Sequence, residues 1–494
     1  MITPSSFSFQ SCQTICIGSR PVIINEYESN FRLKKTLFSL IGLISDLVAF
    51  LFLLIIEFLL SIAGKVKPIV RYSYIESAAY SHFLNDSFDL ILRHRHLNSL
   101  FGKTFFRPLL IINDSKCSFP PLISSLRRHF TVILLRELPL PNILKSAFHN
   151  QLFFRSPVDY DFKISTSDCV GLSNSSIFVP SLRFVSSRNI FGLWQYSKLT
   201  PHDVLTNEEE RECAEFLRSK NIDTSNFIAT HIRTPAWYVN HNSEFSGMER
   251  SELDSVRNLS QIEDFEPGIM NLLTRGFSVV QMGRFHKRLN ISHENFIYLD
   301  DWPDRPEKID LYILAHLSGM VGTGSGPDCI SIFFNDAPFC YINQFPHLYA
   351  LSYMPAMYLL PTLRYKNSGE MVTLGGYINY NLCSLADLEQ QGIEVDGASR
   401  DQITQTICFF ADYYVLGEQI PGLSSWKQFN SKYVNTLALY HSHYFSDSSL
   451  SKSIYSQLDP VAASQKWHYF IDKRYSLAPS FVDQLDDSWL DIRF

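Results

Sequence analysis

Between Phe227 and Asn343, short apolar runs alternate with longer segments of helical pattern, and this rhythm constrains the fold more than any other feature of the chain. Residues 227–232, 278–282, 295–298, 319–322 and 339–342 read as buried strands, while 262–275, 308–317 and 327–334 read as helices. Alternation of this kind is the mark of a doubly wound α/β domain. Ligands of such domains sit beyond the carboxyl ends of the strands, so the residues just after each run are where chemistry is expected.

The chain is 494 residues long, and one core rarely grows past about 250–300 residues, so a second half is expected. Residues 108–114 read as a strand, 121–129 as a helix and 131–135 as a strand, which begins another parallel sheet. A helix is expected at 74–97, a short strand at 177–179, and an irregular Ser/Pro-rich linker at 140–206. The expected fold is α/β with two Rossmann-like domains, an N-terminal apolar helix and a helical C-terminal extension. Its parts are a flexible 1–35, a membrane-associated helix at 36–64, an acceptor-side domain at 67–205, a donor-binding domain at 206–350, and a partly helical 351–494.

Residues 36–64 are long enough to cross a bilayer, although Asp46 and Glu57 interrupt them. Those acids fall on one stripe of a helix with Ser39 and Ser61, which also suits a helix lying on the membrane. Basic residues flank both ends, so the positive-inside rule does not orient the segment. The net charge of -6 gives no basic field for nucleic acid. Arg93-His94-Arg95-His96 reads as a solvated helix face rather than a phosphate contact. The nine scattered cysteines do not form a secreted disulfide framework and fit a reducing compartment. Cys12 and Cys16 lack the second pair that a metal site needs.

Three constellations stand at the expected strand ends. His231 and Arg233 alternate onto one face of a strand, where a guanidinium suits a diphosphate; a buried His and a structural ion pair are the plain alternative. Gln281-Met282-Gly283-Arg284 brings a glycine for close backbone approach and a second cation. Gly322-Thr323-Gly324-Ser325-Gly326, followed by Pro327 and Asp328, suits an anion cradle opening a helix, or else a tight turn. The spaced dinucleotide fingerprint and the Walker lysine are both missing. Three phosphate-suited elements in one domain point to a nucleotide diphosphate.

The order of these elements resembles a little-characterised family of bacterial glycosyltransferases found with surface-polysaccharide genes. It is carried by the His-x-Arg strand, Arg257-Asn258, Gly276 to Arg284, Asp310-Leu311-Tyr312, the Gly/Ser loop, and Tyr341-Ile342-Asn343 with Pro346. The resemblance spans roughly residues 67–407. The chain departs from the family in having Thr234 where an Asp follows the Arg. The His-x-Arg element is also similar to that of fucosyltransferase-like enzymes, whose Arg grips the donor diphosphate.

The resemblance implies a GT-B-like enzyme that moves a sugar from a nucleotide-sugar donor to a glycan or lipid-linked acceptor at the cytoplasmic face of the bacterial inner membrane. Arg233, Arg284 and Gly322 to Gly326 would hold the leaving diphosphate, with no metal or other cofactor. His231 and Asp310 are the candidate bases, and Asn258, Gly283, Asp328 and Asn343 have structural or donor-side places. The alternative is a non-catalytic nucleotide- or sugar-binding protein, or a scaffold, at the membrane.

Overall fold

The computed structural model describes residues 16–17, 20–21, 72–76, 83–84, 87–88, 91–92, 95, 109–113, 119–134, 162–164, 170–172, 198–233, 259–283, 288–324, 327, 330–344, 355–379, 385–447 and 476–491. Its centre is a seven-stranded, wholly parallel sheet. From edge to edge the strands are Phe296–Tyr298, Ser278–Gln281, Phe227–His231, Gly319–Gly322, Phe339–Ile342, Ala356–Leu359 and Ser476–Leu477. Every residue of every one of these strands is buried, which is what a sheet covered on both faces requires. The five strands expected between 227 and 342 are all present. The sheet then continues past residue 350, taking its last two strands from the C-terminal part of the chain.

Chain direction decides where the helices lie. The Glu266–Thr274 helix joins the Phe227 strand to the Ser278 strand on one side of it. The Ile309–His316 helix carries the chain back across to the Gly319 strand, on the other side of the Phe227 strand. Right-handed crossovers running in opposite directions put the two helices on opposite faces. The Asn207–Ser219 helix packs with Ile309–His316, and the Arg400–Phe410 helix packs with Glu266–Thr274. Ser399 starts the latter helix with a capping box, its hydroxyl accepting from the Gln402 N–H while the Gln402 side chain accepts from the Ser399 N–H.

The sequence misleads in three places, the first being the stretch 140–206 read as irregular, where Phe162–Ile164 pairs antiparallel with Val170–Leu172 and Pro201–Val204 is a short helix. Residues 74–97 do not form one helix, because Tyr72–Glu76 is a strand paired with Leu109–Asn113; among the later described residues, positions from Phe83 to Arg95 are helical. Aromatic and β-branched residues at Tyr72, Tyr74 and Ile75 favour the pleated surface. With Thr131–Leu134 they make a three-stranded parallel sheet crossed by the Pro121–His129 helix. The helix expected at 327–334 is also not found among the described residues, which carry only 3-10 turns at Pro327 and Ser331–Phe333. Asp, Cys, Ile, Ser and Phe in that segment are weak helix formers. It is held from outside instead: Asn335 Nδ2 donates to the carbonyls of Ala315 and Leu317, and Phe88 packs edge-on against Phe333 and Phe334.

Arg95, on a helical position and half exposed, also makes polar contacts across the chain. Its guanidinium pairs with Asp203 at 2.8 Å and donates to the Lys198 carbonyl. Arg128 donates to the Leu205 carbonyl, Ser125 to that of Val204, and His129 Nε2 meets that of Asp203. Lys308, buried, reaches Ser125 Oγ at 3.0 Å and Glu209 at 2.8 Å. Burial would lift the Glu209 carboxyl, but hydrogen bonds from Lys308 and Thr206 outweigh it and hold the group below the usual glutamate range. Arg275 pairs with Asp412 beyond the Arg400–Phe410 helix.

No helix among the described residues is long and apolar enough to cross a membrane. The apolar segment 36–64, the strand expected at 177–179 and the side chains of Cys12 and Cys16 lie outside the described residues.

The contact between Glu266–Thr274 and Arg400–Phe410 runs through Gly268. A Cβ there would stand 2.6 Å from Ile407 Cδ1 and 3.1 Å from Ile407 Cβ, so rotating the side chain alone cannot clear it. Gly268→Val is expected to destabilise the protein by about 1–3 kcal/mol through overpacking, read by chemical denaturation. Gly369→Val, where a Cβ meets nothing within 4 Å, should cost less and through its positive φ alone.

Candidate functional site

The strand order reverses at the Phe227 strand: the chain first adds Ser278–Gln281 and Phe296–Tyr298 on one side, then returns to add Gly319–Gly322 on the other. Such a switch leaves a crevice at the carboxyl ends of the two strands that part, because the loops leaving them go to opposite faces. Here His231 ends one strand and Gly322 ends the other, and the two are register partners. The His231–Arg233 element and the glycine loop are thereby brought side by side.

Thr323 ties the two loops. Its hydroxyl accepts from the Arg233 backbone N–H at 2.9 Å, and its own N–H reaches the His231 carbonyl at 3.4 Å. The hydroxyl proton has no acceptor among the described residues and can be offered to an anion. His231 is buried and Arg233 half-buried. Gly324 has φ +73°, and Gly283, after the neighbouring strand, has φ +108°; both conformations suit glycine. Gln281, the last residue of that strand, accepts the Leu289 N–H on its Oε1 at 3.0 Å.

Asn343 has a structural place. It takes φ +52° just after the Phe339 strand, uncommon for a residue with a side chain. Its Oδ1 accepts from the Ala398 N–H at 2.8 Å, and its Nδ2 donates to Ser260 Oγ at 2.5 Å. Ser260 Oγ donates on to the Ala398 carbonyl at 3.1 Å. One side chain thereby joins the end of a central strand, the start of the Ile262 turn and the residue before the Ser399 cap. Sequence reading had no means of finding Ser260 or Ala398, which lie far from Asn343 in the chain.

Asp310 stands in the first turn of Ile309–His316, where its charge bears on Cys213 of the facing Asn207–Ser219 helix. Burial pushes the Cys213 thiol up to about 12, with Glu212, Glu209 and Asp310 adding to it. Cys340 is pushed up by burial as well. Neither thiol is a nucleophile at neutral pH. Asp300 and Asp301, in a 3-10 turn, pair with Arg305 and Arg288. No cluster of His, Cys, Asp or Glu among the described residues is arranged to hold a metal. Arg284, Ser325, Gly326, Asn258 and Asp328, as well as Thr234, lie outside the described residues.

A depression of about 380 Å³ lies on the helices, lined by residues from His202 to Arg218 and by Tyr312, without any strand-end residue. Beside it, Glu210 stands 3.3 Å from both His202 and His316. Burial pushes the His316 imidazole below the usual histidine range, with Glu210 pulling it back up.

No family model matches the chain, and no curated protein matches its sequence. Among solved structures, a glycosyl transferase family 9 protein from Veillonella parvula DSM 2008 is similar at 10% identity, covering 59% of this chain and 86% of that one, with a TM-score of 0.34. The ADP-heptose LPS heptosyltransferase II of E. coli is similar at 11% identity, covering 56% and 86%, with a TM-score of 0.30. The wall teichoic acid polymerase TagF is similar at 9% identity, covering 79% and 90%, with a TM-score of 0.24. Similarities this distant carry no inference about chemistry, which has to come from the residues themselves.

Asn343→Ala is expected to cost about 2–4 kcal/mol, since it leaves the buried Ala398 N–H unpaired and strains the backbone. Asn343→Gly should cost less because the strain is gone; equal melting temperatures for the two would make the positive φ irrelevant. His316 yields a pH dependence. Its folded pKa is depressed, so below about pH 6.5 the unfolded chain takes up the proton more readily and stability falls with acidification. Gln in place of His316 should flatten that part of the curve of melting temperature against pH.

Proposed function

We propose that this protein is a glycosyltransferase that takes its sugar from a nucleotide-sugar donor held at the carboxyl ends of the Phe227 and Gly319 strands. The observation that carries this reading is the coincidence of the topological switch point with Arg233, Thr323 and Gly324. Charge develops on the diphosphate as the glycosidic bond breaks, and donors fixed in advance around it lower the barrier. Arg233 brings a planar guanidinium, Thr323 a hydroxyl proton, and glycine at 322, 324 and 326 lets the backbone approach the phosphates. Arg284 and Ser325 complete the cradle in this reading. The favourable charge in this reading comes from these groups.

His231, at the end of the central strand, is the better candidate for a base that receives the acceptor hydroxyl's proton. Asp310, in the first turn of the Ile309–His316 helix, is the second candidate. In this reading the enzyme is metal-independent and has two Rossmann-like domains, the residues before 205 providing the acceptor side. A glycan or lipid-linked acceptor in surface-polysaccharide assembly, and attachment through 36–64 to the cytoplasmic face of the inner membrane, complete the reading.

Titration of the full chain with UDP, GDP, ADP and CDP in the presence of EDTA is expected to show binding to at least one of them. Arg233→Ala should weaken that binding about ten- to a hundredfold, equivalent to one charge-assisted contact, and Arg233→Lys should restore only part of it. Binding that needs magnesium or manganese defeats the metal-independent mechanism. A lowered melting temperature with unchanged affinity in Arg233→Ala makes the arginine structural. Binding of a nucleotide sugar without turnover in the presence of glycan acceptors favours the non-catalytic alternative.

A further inference from the structure

At the strand ends, Gln344 is a buried polar side chain that the protein leaves unused. It is 1% exposed, and its Oε1 is enclosed without a hydrogen-bond partner. Gln281, the other buried glutamine of these strand ends, accepts a backbone N–H. Gln344 follows the Asn343 latch, which fixes the direction in which the chain leaves the Phe339 strand. Its amide lies over Gly324: a Cβ built there would meet Oε1 at 1.5 Å, Cδ at 2.3 Å and Nε2 at 3.0 Å. Packing against a glycine at φ +73° therefore holds this amide against the loop next to Thr323 and Arg233.

An amide buried without a partner is unfavourable, and Leu or Met would fill the same space without that cost. In folded proteins such groups call for a partner that the chain does not supply. An amide oxygen accepts hydrogen bonds, so its natural counterpart is an O–H or N–H and not another acceptor such as a phosphate oxygen.

We propose that Gln344 is a specificity-determining residue of this crevice, its Oε1 accepting a hydrogen bond from a hydroxyl that adjoins the diphosphate of the bound nucleotide sugar. The inference rests on the reading of the crevice as a nucleotide-sugar site. That hydrogen-bond donor belongs either to the nucleoside or to the transferred sugar, which share the chemistry. Binding of a ligand without it leaves the buried oxygen unpaired, and this is how a polar site rejects close analogues.

The test compares the full chain with Gln344→Met in calorimetric titrations against inorganic pyrophosphate, UDP, GDP, ADP, CDP and the corresponding nucleotide glucoses, alongside thermal unfolding. Gln344→Met should melt no lower than the parent, since it removes an unpartnered amide. It should weaken the preferred nucleotide sugar about tenfold and leave pyrophosphate unchanged. Weakening shared by the free nucleoside diphosphate assigns the contact to the nucleoside; weakening confined to the nucleotide sugar assigns it to the sugar. Parent-like affinity for every ligand, or an equal loss for pyrophosphate, overturns the proposal. So does a lower melting temperature with unchanged affinity in both Gln344→Met and Gln344→Leu, which would make the amide structural. If the parent chain binds none of these ligands, the reading of the crevice falls first and this inference falls with it.

Discussion

Two hydrogen bonds from Thr323 hold the molecule's central strands together at the point where they stop being a sheet. Up to His231 and Gly322 the parallel ladder pairs the two backbones. Beyond it the N–H and C=O groups of the two chains lose the ladder. The Thr323 hydroxyl accepts from the Arg233 N–H, and the Thr323 N–H donates to the His231 carbonyl. A threonine can do this and still present a proton outward, which no apolar residue of the same shape could. The spacing of Arg233 from Gly324, on which any anion site here depends, is set by that bridge.

The same end of the sheet shows how a fold places polar groups by packing. Asn343 turns the chain through a left-handed residue, and its amide is fully used on Ser260 and Ala398. Gln344, next in sequence, has its amide set down on Gly324 and used by nothing. Adjacent carboxamides thus differ in role because of one dihedral angle: the first is part of the scaffold, and the second is positioned by it.

What the sequence disclosed was what periodicity encodes. Five strands could be read because each is apolar along its length, and the candidate residues fell at their ends because that is where apolar runs stop. Ser476–Leu477 could not be read, since two residues carry no period and their partner, Ala356–Leu359, lies more than a hundred residues earlier in the chain. The helix expected after Pro327 failed because a proline suited to a first turn was followed by poor helix formers, which Asn335 and Phe88 then fixed from outside. Residues 74–76 read as the start of a helix because the apolar positions after them continue at helical spacing, yet they belong to the Tyr72–Glu76 strand. Gln344 gave no signal in sequence, because what marks it is the absence of a partner, and that is visible only in three dimensions.

Polar contacts also account for how the Pro121–His129 helix meets the later part of the chain. The Pro201–Val204 helix has four residues, too few to satisfy its own last carbonyls. Side chains from the N-terminal part take them: His129 meets the Asp203 carbonyl, Ser125 that of Val204 and Arg128 that of Leu205. Lys308 enters the same seam from the helix that leads to the glycine loop, and Glu209 neutralises it. A buried cation paired in this way adds little net stability, yet removing its partner costs about 3–5 kcal/mol. The seam therefore tolerates one arrangement and penalises others, which apolar surfaces able to slide would not do. Since Lys308 begins the helix that returns the chain to the Gly319 strand, the contact that fixes the N-terminal part also anchors the element from which the candidate site is built.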